Sequence, residues 1–244
     1  MKHILITGAS SGIGKSLAQL YAQQGWQVIA GGRNQQALND LVAQFENITP
    51  LVADLCDESA VIEAAELLPS LDLLVLNAGS CEYIDQPLAF DSALFQRVIN
   101  TNLMTVAYCL NHWLSKVKQG GQLAFTSSSA SFLPLPRAQA YGASKAALSY
   151  MAKTLSIDLA PHDIDVSLIN PGFVQTPLTE KNDFPMPGSV SSEQAALAIF
   201  HGLNKRRHTI NFPSVFTSIM STLALLPFSW WRLFAIRYLV RKTS

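Results

Sequence analysis

Short apolar runs recur along the chain at 4–7, 27–30, 49–53, 71–76, 123–127 and 166–170. Each has the length and near-continuous apolarity of a strand buried on both faces, without the alternation of a strand that has one wet side. Between the runs the apolar residues take helical spacing: Ile13, Leu17, Leu20 and Tyr21 after the first, Leu38, Leu41, Val42 and Phe45 after the second. Alternating buried strands and helices predict an α/β fold, a doubly wound parallel sheet of Rossmann type with helices on both faces and right-handed crossovers. Asp57 is placed to cap a helix from Glu58, and Ser191 with Gln194 has capping-box spacing ahead of 195–203. Gly25, Gly120 and Gly121 are expected to mark helix exits. The stretch 176–190 carries Pro177, Pro185, Pro187 and Gly188, too Pro-rich for regular structure, and is expected to be a mobile segment.

Half of the 244 residues are apolar (49%), enough to bury the core of one α/β domain. Lys plus Arg and Asp plus Glu number 17 each, so no basic excess exists to neutralise a phosphate backbone, and nucleic acid is excluded as a main partner. Cys56, Cys81 and Cys109 are widely spaced and outside any CxxC pattern, which argues against a disulfide framework and a metal site and for a reducing, cytoplasmic setting. The opening MKHILITG reads as a first strand, too short for a signal-peptide core. Residues 1–213 are expected to form the dinucleotide-binding and catalytic domain, and 214–244 an apolar helical extension of it.

The chain's chemistry begins in TGASSGIG, where Gly8, Gly12 and Gly14 follow the first strand at G-x-x-x-G-x-G spacing. Gly8 permits a tight turn, Gly12 lets a diphosphate approach the backbone, and Gly14 lets the next helix pack on the sheet. The helix start then offers unpaired N–H groups and a positive dipole end, with Ser10 and Ser11 as added donors. Further on, Tyr141 and Lys145 stand four residues apart in a helical pattern and share one face. An ammonium beside a phenol favours the phenolate, so a lowered Tyr141 pKa and an acid/base role are expected. The pair follows the serine run at 127–129, and in a doubly wound sheet ligands sit beyond the carboxyl ends of the strands, so both motifs should face one crevice.

With these motifs the sequence resembles the short-chain dehydrogenase/reductase family over about 2–212: TGASSGIG at 7–14, Asp54 after the third strand, NAG at 77–79, Asn102 in INTNL, Ser128, YGASK at 141–145 and PGFVQT at 171–176. The resemblance implies that Tyr141 gives a proton to a substrate carbonyl oxygen while a nicotinamide supplies hydride to the carbon. It further implies that Lys145 tunes Tyr141 and holds the nicotinamide ribose, and that Ser128 polarises the carbonyl, with Ser127 and Ser129 as register alternatives. Asn102 would anchor a water leading protons to Lys145. Asp54 would contact the adenine, with Leu55 beside it. Asn77, Ala78 and Gly79 would line the adenosine half. Val174 and Thr176 would hold the nicotinamide amide, and Ile13, Pro171 and Gly172 would line the same cofactor site. Thr105 and Ser131 stand where many relatives carry glycine.

The second strand ends WQVIAGGRN, with Gly32 where an acidic residue would accept from a free ribose hydroxyl, and then Arg33, whose guanidinium can fork onto a 2′-phosphate. NADP(H) is therefore expected over NAD(H), with Asn34 assisting. The leading expectation is an oxidoreductase that interconverts a small-molecule carbonyl and alcohol. Its rival, a protein that senses the cofactor or binds a partner, needs the glycine corner but has no use for Ser128, Tyr141 and Lys145. Leu178, Phe184 and Met186 indicate an apolar substrate.

Many relatives end in a strand that pairs across subunits; here HTINFP continues into apolar sequence, so a homo-oligomer is expected with a dimer favoured over a tetramer. Two readings of that tail stay open. In the preferred one, helices over 217–226 and 229–240 close the substrate site or pack in a dimer. In the other, Trp230, Trp231 and Phe234 dip into a membrane surface, with Arg232, Arg237, Arg241 and Lys242 near headgroups.

Overall fold

The computed structural model describes residues 1–240; Arg241 and Lys242 lie outside the described residues. Among those residues, the strands β1 (His3–Thr7), β2 (Gln27–Gly32), β3 (Ile48–Val52), β4 (Leu71–Leu76), β5 (Val117–Thr126), β6 (Asp165–Pro171) and β9 (Thr209–Phe212) form one sheet in the order β3-β2-β1-β4-β5-β6-β9. Every pairing is parallel, with Ile4 against Val28 on one side of β1 and against Leu73 on the other. The strand order reverses between β1 and β4, and the crevice at that switch point is where such a sheet binds ligands. Two short strands, β7 (Val174–Gln175) and β8 (Val190–Ser191), pair with each other and pinch off the Pro-rich loop between them.

Helices cover both faces because the strands between them are apolar on both. On one face α1 (Gly12–Gln23), α2 (Gln35–Val42) and α7 (Ser192–Asn204) bury Leu17, Tyr21, Leu38, Leu41 and Ile199 against Ile4, Ile6 and Val75. On the other, α3 (Glu58–Leu67), α5 (Thr105–Trp113) and α6 (Gln139–Asp158) bury Val61, Cys109, Trp113 and Leu148 against Leu5, Leu74 and Phe125. Each fully buried leucine or isoleucine contributes about 1.5–3 kcal/mol. The Trp113 indole is accommodated because its Nε1 donates to the Val61 carbonyl at 2.9 Å. Asp57 caps α3 through Ser59 N (3.0 Å), and Ser191 and Gln194 make the reciprocal capping box of α7, both as the sequence indicates.

Five of the six expected strands lie within two residues of their expected ends, β7, β8 and β9 are not among the apolar runs, and β5 starts six residues early. Gly120 and Gly121 lie inside that strand and are not helix exits: α5 closes at Trp113 through a single 3₁₀ turn, Leu114–Lys116. Gly120 takes φ +76° and donates to the Asp163 carbonyl at 2.7 Å, and a Cβ on Gly121 would press on the Lys118 carbonyl. The two glycines kink the strand where its register against β4 shifts between Leu71 and Leu73.

Beyond β9 the chain forms α8 (Ser214–Leu223) and α9 (Phe228–Tyr238), with Pro227 between them as the cap of the second. Met220, Trp231 and Ala235 pack with Leu133, Phe132 and Leu135 in a small separate core. No single helix among the described residues is long and apolar enough to cross a membrane.

Candidate active site

The corner after β1 has the shape the glycines allow. Gly8 and Gly12 adopt φ +69° and +52°, which favour glycine, and a Cβ on Gly14 would collide with the Gly8 carbonyl oxygen. The corner is held against the NAG segment by Thr7, whose Oγ1 accepts from Asn77 N (2.9 Å) and Ala78 N (3.0 Å) while Asn77 Nδ2 donates to its carbonyl (3.1 Å). α1 begins at Gly12, so its free N–H groups face the crevice.

That crevice is a cavity of about 420 Å³ beyond the carboxyl ends of the strands. Gly8, Ser10, Ser11, Gly12 and Ile13 border it at one place. Arg33, Asn34, Asp54 and Leu55 border it where β2 and β3 end, and Asn77, Ala78 and Gly79 where β4 ends. Ser128, Tyr141 and Lys145 form another wall, and Pro171, Gly172, Val174 and Thr176 close it. Gly14 and Asn102 stand behind this lining. Sequence reasoning missed Ser80, Thr101, Thr126 and Thr179 in the same lining, small polar residues at a strand end, in loops and in a helical turn that carry no sequence signal of their own.

Asn102 is fully buried in a π-helical turn, Asn100–Met104, between α4 (Ser92–Ile99) and α5. Its Oδ1 accepts from Ser80 N at 2.7 Å, and its Nδ2 donates to Ser80 O (2.9 Å) and Ser144 Oγ (3.0 Å). The side chain is therefore occupied in bracing the loop after β4 against α6. A Cβ at Gly79 would lie 3.0 Å from Asn102 Oδ1 and 3.3 Å from Lys145 Nζ, so glycine here gives the lysine its room.

Of the three serines, Ser127 and Ser128 border the cavity and Ser129 does not; Ser127 commits its hydroxyl to the Lys145 carbonyl (2.9 Å) and Ser149 Oγ (2.7 Å), whereas Ser128 accepts from Ala130 N at 3.1 Å and shares a hydrogen bond with Tyr141. Thr105 and Ser131, in place of glycines, satisfy their hydroxyls locally on the carbonyls of Thr101 and Ser128.

The expected lowering of the Tyr141 pKa is not met. Burial pushes the phenol well above its ordinary value, Cys81 adds to the rise, and the Ser128 hydrogen bond opposes it. Lys145 lies one helical turn along, but its Nζ donates to the Thr126 carbonyl at 2.9 Å and sits 5.9 Å from the Tyr141 ring centre. Burial lowers the lysine to about 8. Desolvation, which sequence spacing cannot reveal, sets the direction of the tyrosine shift.

Arg33 is 72% exposed and only loosely paired with Asp54 at 3.8 Å, an ion pair worth under about 1 kcal/mol, so its guanidinium is free to turn to an anion. Asn34 caps α2 by accepting from Ala37 N at 3.1 Å, which commits its oxygen and leaves its amide donor.

The loops above the cavity are clasped by Arg137, a residue the sequence reading passed over. It takes φ +67°, pairs through Nε with Asp85 (2.5 Å) and through Nη1 with Asp183 (2.7 Å), and lies over the Tyr83 ring at 5.3 Å. Tyr83 in turn donates to Asn182 (3.2 Å) and meets Phe184 edge-on. Loops after β4, β5 and β7 are thus joined at one point.

Residues 2–185 match the family model of the short chain dehydrogenase. The chain belongs to the short-chain dehydrogenase/reductase family. As a member of that family it is an oxidoreductase. An uncharacterised oxidoreductase of Myxococcus xanthus is 35% identical over 221 residues, covering 86% of each chain. The 3-oxoacyl-[acyl-carrier-protein] reductase of Thermotoga maritima is 34% identical over 203 residues, 74% of this chain and 77% of that one. Among solved structures, a short-chain dehydrogenase of Burkholderia cenocepacia in complex with NADP superposes with a TM-score of 0.84 at 22% identity, covering 99% of this chain and all of that one, and so shares the fold.

The cavity's own chemistry fits a dinucleotide. Two positive-φ glycines and a helix start make a cradle that a Cβ would fill, and two buried hydroxyls in the lining, Ser80 Oγ and Thr126 Oγ1, have no hydrogen-bond partner among the described residues.

Proposed function

We propose that this oxidoreductase uses NADP(H) to interconvert a carbonyl and an alcohol on an apolar substrate, with Tyr141 as acid/base. The observation that carries the reading is the convergence of Ser128, Tyr141 and Lys145 on one cavity with the Gly8–Gly12 corner and Arg33. Ser10, Ser11 and the free N–H groups of α1 hold a diphosphate, and Arg33 forks onto a 2′-phosphate. Asp54 and Leu55 flank the adenine, and Asn77, Ala78 and Gly79 the adenosine ribose. Ile13, Pro171, Gly172, Val174 and Thr176 frame the nicotinamide. When bound, the dinucleotide supplies hydride to the carbonyl carbon or takes it back.

The chain's residues handle the proton. Ser128 donates to the substrate oxygen and fixes it beside the phenol. Tyr141 stays protonated at neutral pH because burial disfavours its phenolate, which suits it to give a proton to an oxygen gaining negative charge, the reductive direction. Lys145, held near 8, exchanges protons close to neutral pH and recharges Tyr141. The Asn102 side chain is already occupied by Ser80 and Ser144, so its contribution is to brace the loop after β4 beside Lys145. Leu178 borders the cavity, and outside its lining Phe184 makes ring contacts with both Tyr83 and Phe173, which supports a substrate with apolar groups.

NADPH oxidation against apolar ketones, aldehydes and quinones, run with NADH beside it, tests the reading. Turnover should favour NADPH, fall by about 10²–10⁴ in Tyr141→Phe, and lose its preference for NADPH in Arg33→Ala. Equal turnover of the Phe variant would end the acid/base assignment, and a preference for NADH would end the assignment of Arg33.

A further inference from the structure

We propose that α8 and α9 dock the protein on an anionic bilayer, as a shallow wedge in one leaflet beside the cavity, so that the substrate is an apolar carbonyl or alcohol dissolved in the membrane; this last step rests on the reductase reading, the docking does not. The first observation is how little of α9 the protein covers. Trp231 and Ala235 are buried, while Phe228, Trp230, Leu233, Phe234, Ile236 and Tyr238 are 47–69% exposed. At 100° per residue those six apolar side chains are spread around the remaining circumference of the helix. Arg232 and Arg237 interrupt that circumference, so a second protomer would cover one stripe of it, whereas a bilayer interface takes up the apolar side chains and lets the arginine heads reach the headgroups.

Length and shape fix the mode of binding. Helices of ten and eleven residues rise about 15–17 Å, half of a hydrocarbon core of about 30 Å. Together they reach the apolarity of a span, but they are bent by 119° at the break around Pro227, the shape of a re-entrant wedge. Leu225 at that bend is 85% exposed, with the indole of Trp230 and the phenol of Tyr238 placed as interfacial anchors are.

Charge selects the surface. All seventeen Asp and Glu side chains lie at or before Glu193, and from residue 214 onward the charged side chains are Arg232, Arg237, Arg241 and Lys242 alone. Thirteen cations against seventeen carboxylates remain in the rest of the chain, so the anionic leaflet that attracts the tail repels the body and orients it.

The wedge is tied to the site. Trp231 Nε1 donates to the Pro134 carbonyl at 2.8 Å, in the loop that leaves Ser128. Phe216 of α8 meets Phe173 at 5.3 Å and lies where a Cβ on Gly172 would strike it, and Gly172 borders the cavity. Apolar rings therefore run from the docking helices to the cavity wall.

The test floats the full chain on phosphatidylcholine vesicles with and without one-third phosphatidylglycerol, at low and high salt. Binding should be at least about tenfold tighter on the anionic vesicles and weaken in salt. Leu233→Ser with Phe234→Ser should lose about tenfold or more, and Arg232→Gln with Arg237→Gln should lose the anionic preference. Both variants should keep wild-type turnover of a small soluble ketone. Protein that stays in solution with both kinds of vesicle overturns the proposal. So does light scattering that finds a dimer which Leu233→Ser with Phe234→Ser splits while flotation is absent, since the face then joins two copies. Flotation without turnover of any carbonyl would remove the reductase reading and support the docking; turnover without flotation would do the reverse.

Discussion

Lys145 carries the largest tension in the site, a cation all but removed from water. Its folded pKa near 8, against 10.5 in an open chain, means that the folded state sheds its proton first. Between those values the unfolded chain binds more protons, so stability rises with pH from about 8 to about 10 through this residue, by at most about 3 kcal/mol. The opposite contribution sets in from about 9 with Cys109, pushed up to about 12, and from about 10 with Tyr141, Tyr83 and Tyr21, because burial makes these groups hold their protons in the fold after the unfolded chain has released them. Lys145→Met should therefore flatten the rise. Urea midpoints measured from pH 7 to 10.5 in both proteins check it, and parallel curves would show that the lysine is ammonium at pH 9 in the fold. The spacing of Tyr141 and Lys145 was legible in the sequence because two residues one turn apart on a helix must share a face. The direction of the tyrosine shift was not, because it depends on burial supplied by loops far away in the chain.

At the scale of elements, the strands that were legible are those buried on both faces, since continuous apolarity marks them. β9 escaped that criterion because it alternates, with Thr209 and Asn211 exposed and Ile210 and Phe212 buried, as an edge strand does. Gly120 and Gly121 misled because a helix exit and a strand kink ask for the same backbone freedom. The Arg137 clasp left no trace in the sequence at all: its partners Asp85 and Asp183 are 52 and 46 residues away. That clasp holds the loops over the cavity without touching its lining, so Arg137→Ala should loosen the cover and leave the proton machinery intact. We expect KM for substrate to rise about tenfold with kcat changed less than threefold and cofactor affinity kept. Steady-state kinetics read the split; a loss confined to kcat would place Arg137 in the chemistry instead.

For the whole molecule, the two large cores lie on opposite faces of one sheet and neither includes a residue beyond Phe212. The tail has its own core, formed with Phe132, Leu133 and Leu135. This division argues that residues 1–213 fold by themselves while the cavity wall depends on α8 and α9. A chain ending at residue 213 should keep its far-ultraviolet circular dichroism and bind NADPH within about threefold, because the glycine corner and Arg33 are remote from α8 and α9. Its melting temperature should fall by about 2–4 °C for each kcal/mol of lost packing. Turnover should drop far more, by about tenfold to a hundredfold, since Pro134 loses its donor, Phe173 loses Phe216, and the loop after Ser128 is no longer fixed to within the ångström that positioning demands. An unfolded product would mean that the tail core is part of the folding unit. Full turnover would mean that the wall beside Ser128 is built by the sheet alone, and that α8 and α9 serve only their outer surface.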